Sequence, residues 1–188
     1  MTIHPAEDKA LDLKAQAVIL EAPVQVKEIV EEFLLITYDV PVSDEGNKAR
    51  TEFLQRAASI GAVMHTESVY YMPWTQVADI TALKLSKIGK VYAWYAKADP
   101  ETARDLTRHY DQQVMSWIDE LDKRLDKIMG HINDGHIKLA HRMIERTLPM
   151  ISEQEAIIKR RGSPALETAL QGLKRTLGIL VDEEAKRS

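Results

Sequence analysis

Asp39 is the acidic residue whose position best suits chemistry. It follows the apolar run at residues 33–38, which is typical of a buried strand, and Asp44 and Glu45 lie nearby. A carboxylate at a strand end can bind a hard cation such as Mg²⁺ or Mn²⁺, and a symmetric dimer could share one ion between two copies. The alternative is that Asp39 only caps or shapes the turn before Pro41, a common role of aspartate.

Basic side chains are the second group of candidates, here for contacts with phosphate. Lys159, Arg160 and Arg161 form the clearest cationic run, and Arg50 and Arg56 lie on a predicted helix. These five residues are the candidate nucleic-acid-binding set. Such a run is also typical of a solvated loop or a helix C-terminus. The formal net charge of −4 fits poorly with a nucleic-acid binder, which usually has a basic balance or face.

Three of the histidines, His131, His136 and His141, are spaced by five residues. Five positions rotate a helix by about 140°, so an unbroken helix would not hold them on one face, although Gly130 and Gly135 could reorganise them. The spacing of four that is common in helical metal sites is absent. The sequence has no cysteine, which excludes disulfides, thiolate zinc sites and a cysteine nucleophile. It also has no glycine-rich phosphate loop and no nucleophile elbow.

A group of aromatic residues lies in strand-like segments. Because neighbours along a strand point to opposite faces, they cannot all face the helices of one layer. Exposed aromatics on a sheet can stack nucleic-acid bases, but burial under the terminal helices or a second subunit is the favoured interpretation. The residues are Tyr70, Tyr71, Trp74, Tyr92, Trp94 and Tyr95.

Residues 32–98 must position these side chains, and they follow the order strand, helix, strand, strand, helix, strand. This order predicts an α+β fold with a ferredoxin-like, split βαβ core. Gly61 is placed to end the first helix, Pro73 to stop the third strand, and residues 75–88 form the second helix. The apolar face predicted for the first helix consists of Phe53, Leu54, Ala57, Ala58 and Ile60.

Helical segments flank this core on both sides. Residues 1–31 are predicted to form an N-terminal helical arm of two short helices separated at Pro23. Residues 99–188 are predicted to form a long C-terminal helical region of about four helices, the first of which starts at Asp99 and Pro100. Apolar residues in this region alternate steps of four and three, as in helices that pack nearly parallel. They are Val114, Ile118, Leu121, Leu125, Ile128 and Ile132, followed by Leu166, Leu170, Leu173, Leu177 and Leu180.

The apolar segments also limit where the protein can reside. No run approaches the roughly 18 apolar residues of a membrane span. The polar start of the chain does not resemble a secretory signal. Together with the lack of cysteine, these features predict a cytoplasmic protein without a membrane partner.

The segments FLLITYDVP and ARTEFLQRAASIGAVMHTESVYYMP resemble the N-terminal domain of the ChrB chromate-resistance regulators. The resemblance covers roughly residues 33–127 and implies a non-enzymatic regulatory or binding role, with nucleic acid or protein as the partner. A helical arm and tail stand here in place of that family's second domain, so chromate sensing is not carried over. The matching residues are Pro41, Arg50, Arg56, Gly61, Ala62, Val63, Val69, Tyr70 and Pro73.

The same core is similar, more remotely, to the small ferredoxin-like nucleases associated with CRISPR systems. Tyr38-Asp39-Val40 matches the strand end that carries their metal-binding aspartate, and Ser68-Val69 matches a strand that follows their hairpin. This likeness implies a metal-dependent nuclease that uses Asp39 at a dimer interface. We therefore expect a homodimer with a regulatory or binding function, and we keep two alternatives, the nuclease and a helical protein–protein adaptor.

Overall fold

The computed structural model of the protein describes residues 29–73 and 89–187. Within them the chain is α+β, as predicted, with one antiparallel sheet and several helices. The predicted helical arm, except for its last residues, and the predicted helix at 75–88 lie outside the described residues, as does Trp74. No helix of residues 29–73 and 89–187 combines the length and the apolar character that spanning a membrane requires.

The described elements follow the predicted order. The strands are β1 (Glu32–Asp39), β2 (Val63–Thr66), β3 (Val69–Pro73) and β4 (Lys90–Lys97). The helices are α1 (Asp44–Ser59), α2 (Pro100–Asn133), α3 (Ile137–Arg161) and α4 (Pro164–Arg187).

The sheet has the strand order β2-β3-β1-β4, and every neighbouring pair is antiparallel. The central strand is β1, as its continuous apolar run predicts. The pairings make β1 and β2 parallel with β3 between them, so that α1 is a crossover connection. The second crossover of a ferredoxin-like fold would fall at residues 74–88, and that finer assignment therefore stays a prediction.

The two tyrosines in the middle of β3 lie on opposite faces of the sheet. Tyr70 contacts Phe53 of α1, with ring centroids 5.2 Å apart, and Phe53 also contacts Tyr38 at 4.3 Å. Tyr71 lies on the other face, where its hydroxyl donates to the backbone oxygen of Leu106 in α2. Both tyrosines are buried. Because α1 and α2 cover opposite faces of β3, Tyr70 is buried under the core helix α1 and Tyr71 under α2 of the C-terminal region, which confirms the favoured interpretation for these two aromatics.

Helix α1 ends at Gly61 as its sequence predicts, and Ser43 caps its start. The Ser43 hydroxyl accepts a 3.0 Å hydrogen bond from the amide of Gly46, and Gly61 follows the last turn with a φ of 83°. Phe53, Ala57 and Ile60 are buried as predicted, but the prediction was wrong for Leu54 and Ala58, which are exposed. The helix packs on the sheet through the narrow stripe of Phe53, Ala57 and Ile60. Leu54 and Ala58 each follow a residue of this stripe and are therefore rotated from it by about 100° around the helix axis.

The C-terminal region contains three helices, not the predicted four. Pro149 lies inside α3 and does not end it. Its position is exposed, so the carbonyl group that loses its amide partner faces water. The predicted apolar residues of α2 and α4 are all buried, as the spacing indicated. They form one cluster with the buried side chains of the sheet, so the helical bundle and the sheet share a core.

A group of contacts that we call the junction fixes the bundle to the end of α1. The Tyr110 hydroxyl of α2 donates to the carbonyl oxygen of Gly61 at 2.9 Å, and Arg160 of α3 donates to that of Ile60 at 3.0 Å. A Cβ atom at Gly61 would lie 2.9 Å from side-chain carbons of Ile157. The turn after α1 is therefore held by hydrogen bonds from α2 and α3. Its Gly61 packs so closely against Ile157 that no side chain would fit there.

Candidate functional site

Three large aromatic side chains of β4 lie at the protein surface. Tyr92, Trp94 and Tyr95 are 45%, 55% and 65% exposed, and we call them together the β4 edge surface. The rings of Tyr92 and Trp94 stack on each other, with centroids 6.3 Å apart and planes inclined by 27°. Tyr95 lies on the opposite face of the sheet because side chains alternate along the strand. The expected burial of these residues by the terminal helices is therefore not observed.

The position of α2 explains why these rings are exposed. After β4 the chain turns at Asp99 and α2 crosses to β3, where Tyr71 contacts Leu106 and stacks on His109, with centroids 5.9 Å apart. His65 of β2 also contacts His109. The bundle thus covers the β2 and β3 side of its sheet face. The β4 side of the same face is left uncovered within the described residues.

The backbone of β4 has an edge with hydrogen-bonding groups that point away from β1. The amide of Ala98 donates to the carbonyl oxygen of Glu31, and the β1–β4 register continues from there without a shift. Because amides alternate between the two sides of a strand, the odd-numbered residues 91–97 direct their N–H and C=O groups outward. β4 is the last strand on its side of the described sheet. These groups are therefore available to a further strand.

The charges around β4 are balanced. Lys90 lies opposite Asp39 on β1, and Lys97 lies opposite Glu32. Lys97 also forms an ion pair with Glu31, with the nitrogen and oxygen 3.4 Å apart. The β4 edge surface is therefore flanked by two lysines and three carboxylates, and it does not present the positive field that phosphate groups require.

Asp39 lies at the exposed end of β1. It does not cap α1, because the N-cap is Ser43. No group of three or more histidine, aspartate or glutamate side chains that could hold a metal ion occurs among residues 29–73 and 89–187. The nearest charged residue across the sheet is Lys90. Asp39 thus belongs to no cluster of three such ligands within the described residues.

The predicted cationic run does not form one surface. The Arg161 side chain is buried and makes two hydrogen bonds of 2.8 and 2.9 Å to the carboxylate of Asp111. Arg160 is half-buried in the junction, and only Lys159 extends into solvent, where it pairs with Glu155. Two of the three cations therefore hold the fold together. Nucleic-acid binding by Arg160 and Arg161 would require guanidinium groups that already form hydrogen bonds within the protein.

The two candidate arginines of α1, Arg50 and Arg56, have acidic neighbours. Arg56 pairs with Glu52 one turn earlier, and Arg50 is exposed near Tyr70. Burial raises the pKa of Tyr70, and the charge of Arg50 partly opposes that shift. Asp44 and Glu45 begin the same helix. The surface of α1 is accordingly mixed in charge. The contribution of Arg50 and Arg56 to nucleic-acid binding stays a prediction.

Sequence reasoning missed Asp111 and Tyr110, and it considered Arg161 only as a phosphate-binding candidate. Burial raises the pKa of the Asp111 carboxyl, and the hydrogen bonds and charge of Arg161 oppose this shift. Burial also raises the pKa of Tyr110 and of Tyr71. A signal for Tyr110 existed, because it lies four residues before Val114 and so extends the buried stripe of α2. The pairing of Asp111 with Arg161, 50 residues away, had no local signal.

A small cavity of about 10 Å³, roughly the space of one water molecule, lies beside the junction. It is lined by Met72, Tyr110, Ile157 and the two neighbouring arginines, with Pro73 at its side. Typical small-molecule sites measure roughly 300–1,000 Å³. The cavity is too small for a substrate or cofactor of ordinary size.

The histidines of the bundle do not form a metal site in the described chain. The rings of His131 and His136 are 6.0 Å apart at the turn between α2 and α3. The ring of His141 lies between Glu145 and Glu184, 3.5 and 3.3 Å from their carboxylate oxygens. The expected reorganisation at Gly135 does bring two rings together, but the third interacts with carboxylates instead.

No family model, curated protein sequence or solved structure matches this chain.

Proposed function

We propose that this chain is a non-enzymatic binding protein that associates with other protein chains through the β4 edge surface. The observation that carries the proposal is the half-exposed, stacked pair of Tyr92 and Trp94 on an edge strand, with Tyr95 on the other face. Tyrosine and tryptophan are enriched at protein interfaces because they combine a large apolar body with a polar tip. The outward N–H and C=O groups of β4 can form hydrogen bonds with a strand of the partner.

The rigid attachment of the bundle to the sheet supports the same role. Tyr110, Arg160 and the Asp111–Arg161 pair hold the bundle against the sheet, so the edge of β4 is presented by a preorganised body. Preorganisation lowers the entropic cost of binding. The strand order and the α1 crossover further support our proposal that the core is ferredoxin-like, as in the ChrB N-terminal domains that the sequence resembles.

A nucleic-acid partner is the first alternative, because bases also stack on exposed tyrosine and tryptophan. The carboxylates around β4 weigh against it, since they offset both lysines there. Binding to a polyanion would strengthen steeply as salt is lowered. We therefore expect that single-stranded DNA or RNA does not bind the β4 edge surface. Salt-dependent binding that is lost in Trp94→Ala would support the nucleic-acid alternative.

The nuclease and adaptor alternatives have less support. The nuclease requires Asp39 to share a divalent ion, and no third ligand group accompanies it in the described residues. The adaptor requires one continuous apolar patch on the bundle. On α3 the exposed Leu139 and Met150 lie on one side and Leu148 on the opposite side, so the exposed apolar residues of that helix are divided between two sides.

Site-specific photo-cross-linking of the full chain tests the proposal. A benzoylphenylalanine residue in place of Trp94 is irradiated in cells that express the protein naturally. A second chain carries the same group at Leu139, which is 45% exposed on the bundle. We expect one protein partner to be cross-linked from position 94 and not from position 139. The partner, once purified, should bind Trp94→Ala at least about tenfold more weakly than wild type.

Two results would contradict this function. One is cross-linking that is the same at positions 94 and 139, which would mean that β4 has no special surface. The other is Mg²⁺- or Mn²⁺-dependent cleavage of nucleic acid that Asp39→Ala abolishes, which would support the nuclease instead.

A further inference from the structure

We infer that the partner at the β4 edge surface is a second copy of this chain, joined through antiparallel pairing of the two β4 strands around a two-fold axis. This inference rests on the function proposed above and specifies its partner. It follows from the contrast between the two edges of the sheet, from the alternation of residues along β4 and from the placement of its charges.

The two edge strands of the described sheet differ in how they are protected. β2 has four residues, and its register with β3 shifts between Met64 and Thr66. Short length and irregularity are the usual protections of an exposed edge. β4 has eight residues, contains no proline and pairs with β1 without a shift. An edge that is long, regular and aromatic is typical of a strand that pairs with another strand.

The alternation along β4 restricts the pairing. In a two-fold pair of antiparallel strands with a continuous sheet, residues directly opposite each other must point to the same face. The outward amides belong to the odd-numbered residues 91–97, so the exposed Ala93 can pair with its own copy on the axis. Tyr92 then lies opposite Trp94 of the second copy, twice by symmetry. Aromatic pairs directly across an antiparallel ladder are stabilising.

The charges of β4 permit this self-association. Residues 91–96 carry no charge, and the strand is flanked by Lys90 and Lys97. Lys90 faces the same side as Tyr92, whereas Lys97 faces the side of Tyr95, because their numbers differ in parity. In the dimer, Lys97 of one copy therefore lies near Lys90 of the other copy but on the opposite face of the sheet. Each also has a carboxylate opposite it within its own chain.

The pairing would separate the two copies of Asp39. Asp39 lies opposite Lys90, and with Ala93 on the axis Lys90 of one chain lies opposite Ala96 of the other. The two carboxylates would then be ~20 Å apart along the strands and ~14 Å apart across them. A dimer of this kind cannot share a metal ion between two Asp39 residues.

Sedimentation velocity of the full-length chain over a wide concentration range tests the inference. We expect wild type to sediment as a dimer and Ala93→Pro to weaken dimerisation at least about 100-fold. Proline removes an amide that points outward, so the β1–β4 ladder keeps its hydrogen bonds and the monomer keeps its fold. Val42→Pro is the matched control, since Val42 is 95% exposed and lies off the strand. It should sediment as wild type does.

A second measurement avoids dependence on the proline variant. Because the chain has no cysteine, a single introduced cysteine reports only on itself. Opposed residues of a hydrogen-bonded antiparallel pair have Cα atoms about 5.5 Å apart, within the range of a disulfide. Mild oxidation should therefore link Ala93→Cys into a covalent dimer much faster than Val42→Cys.

A wild type that is monomeric at all concentrations, or an Ala93→Pro chain that dimerises as wild type does, would overturn the inference. Equal cross-linking of the two cysteine variants would do the same. If the chain is monomeric but position 94 still cross-links to a different protein, the inference about the partner fails and the proposed function stands. If position 94 cross-links to nothing, the function itself fails.

Discussion

The hydroxyl of Tyr110 donates a 2.9 Å hydrogen bond to the carbonyl oxygen of Gly61, across 49 residues of sequence. This bond joins α2 to the turn that ends α1. Both groups are buried, so neither has water as a substitute partner. With Arg160 bound to the preceding carbonyl, it fixes the helical bundle relative to the sheet and so determines which part of the sheet stays uncovered.

Tyr110→Phe should destabilise the protein by about 1–3 kcal/mol, because a buried carbonyl loses its donor. Urea unfolding followed by circular dichroism measures the change. Tyr92→Phe is the control, since it removes a hydroxyl from an exposed ring and should change stability by less than roughly 0.5 kcal/mol. Equal effects of the two variants would mean that the Tyr110 bond contributes nothing specific.

Gly61→Ala and Gly130→Ala should change stability in opposite directions. At Gly61, φ is 83° and a Cβ atom would lie 2.9 Å from Ile157, so we expect a loss of about 1–3 kcal/mol. Gly130 is inside α2 and a Cβ atom there meets nothing within 4 Å. Alanine at that position should stabilise by roughly 0.5–1 kcal/mol. Thermal or urea unfolding checks both, and a neutral Gly61→Ala would contradict the packing of the junction.

Stability should fall in alkaline solution in part because of Tyr110. Burial raises the pKa of this phenol above its usual value of 10.0, so its contribution is complete below that pH and is lost as the pH rises towards the folded-state pKa. Between about pH 9 and pH 11, wild type should lose about 1 kcal/mol more than Tyr110→Phe. Urea unfolding at several pH values gives the two slopes. Parallel slopes would show that Tyr110 ionises equally in both states.

The Asp111–Arg161 pair should show strong coupling. Removing the carboxylate with Asp111→Leu leaves a guanidinium that is 5% exposed without the anion it faces, and we expect a loss of about 3 kcal/mol. The double variant Asp111→Leu/Arg161→Met should lose less than the sum of the two single variants, as a double-mutant cycle measures. Lys174→Ala, at the exposed pair with Glu155, should change stability little. Additive effects at Asp111 and Arg161 would contradict the coupling.

Much of the fold was predictable from local patterns. The apolar run of β1, Gly61 after α1, the Asp99 cap of α2 and the buried stripes of α2 and α4 all lie where the sequence predicts them. These features depend on periodicity and backbone preference, which neighbouring residues determine. The count of bundle helices was wrong because the cost of a proline inside α3 is offset by packing and by solvent access at Pro149.

The candidate site was less predictable. The sequence placed the aromatics of β4 on a strand and required that they divide between two faces, but it favoured their burial. It also made Arg160 and Arg161 candidates for phosphate contacts, whereas the structure engages both with groups of distant elements. Such assignments depend on which surfaces meet, and no short segment contains that information.

The sequence by itself determined the type and order of the described elements, the end of α1, the start of α2 and the apolar faces of α2 and α4, because these follow from spacing and from the conformational preferences of single residues. Only the tertiary structure decided that α2 lies over Tyr71 and not over Trp94, that Arg161 pairs with Asp111, and that β4 remains an open edge of the described sheet. The reason is physical. Contacts between residues 35 or more positions apart depend on the packing of the whole chain, and that packing leaves Tyr92 and Trp94 at the surface.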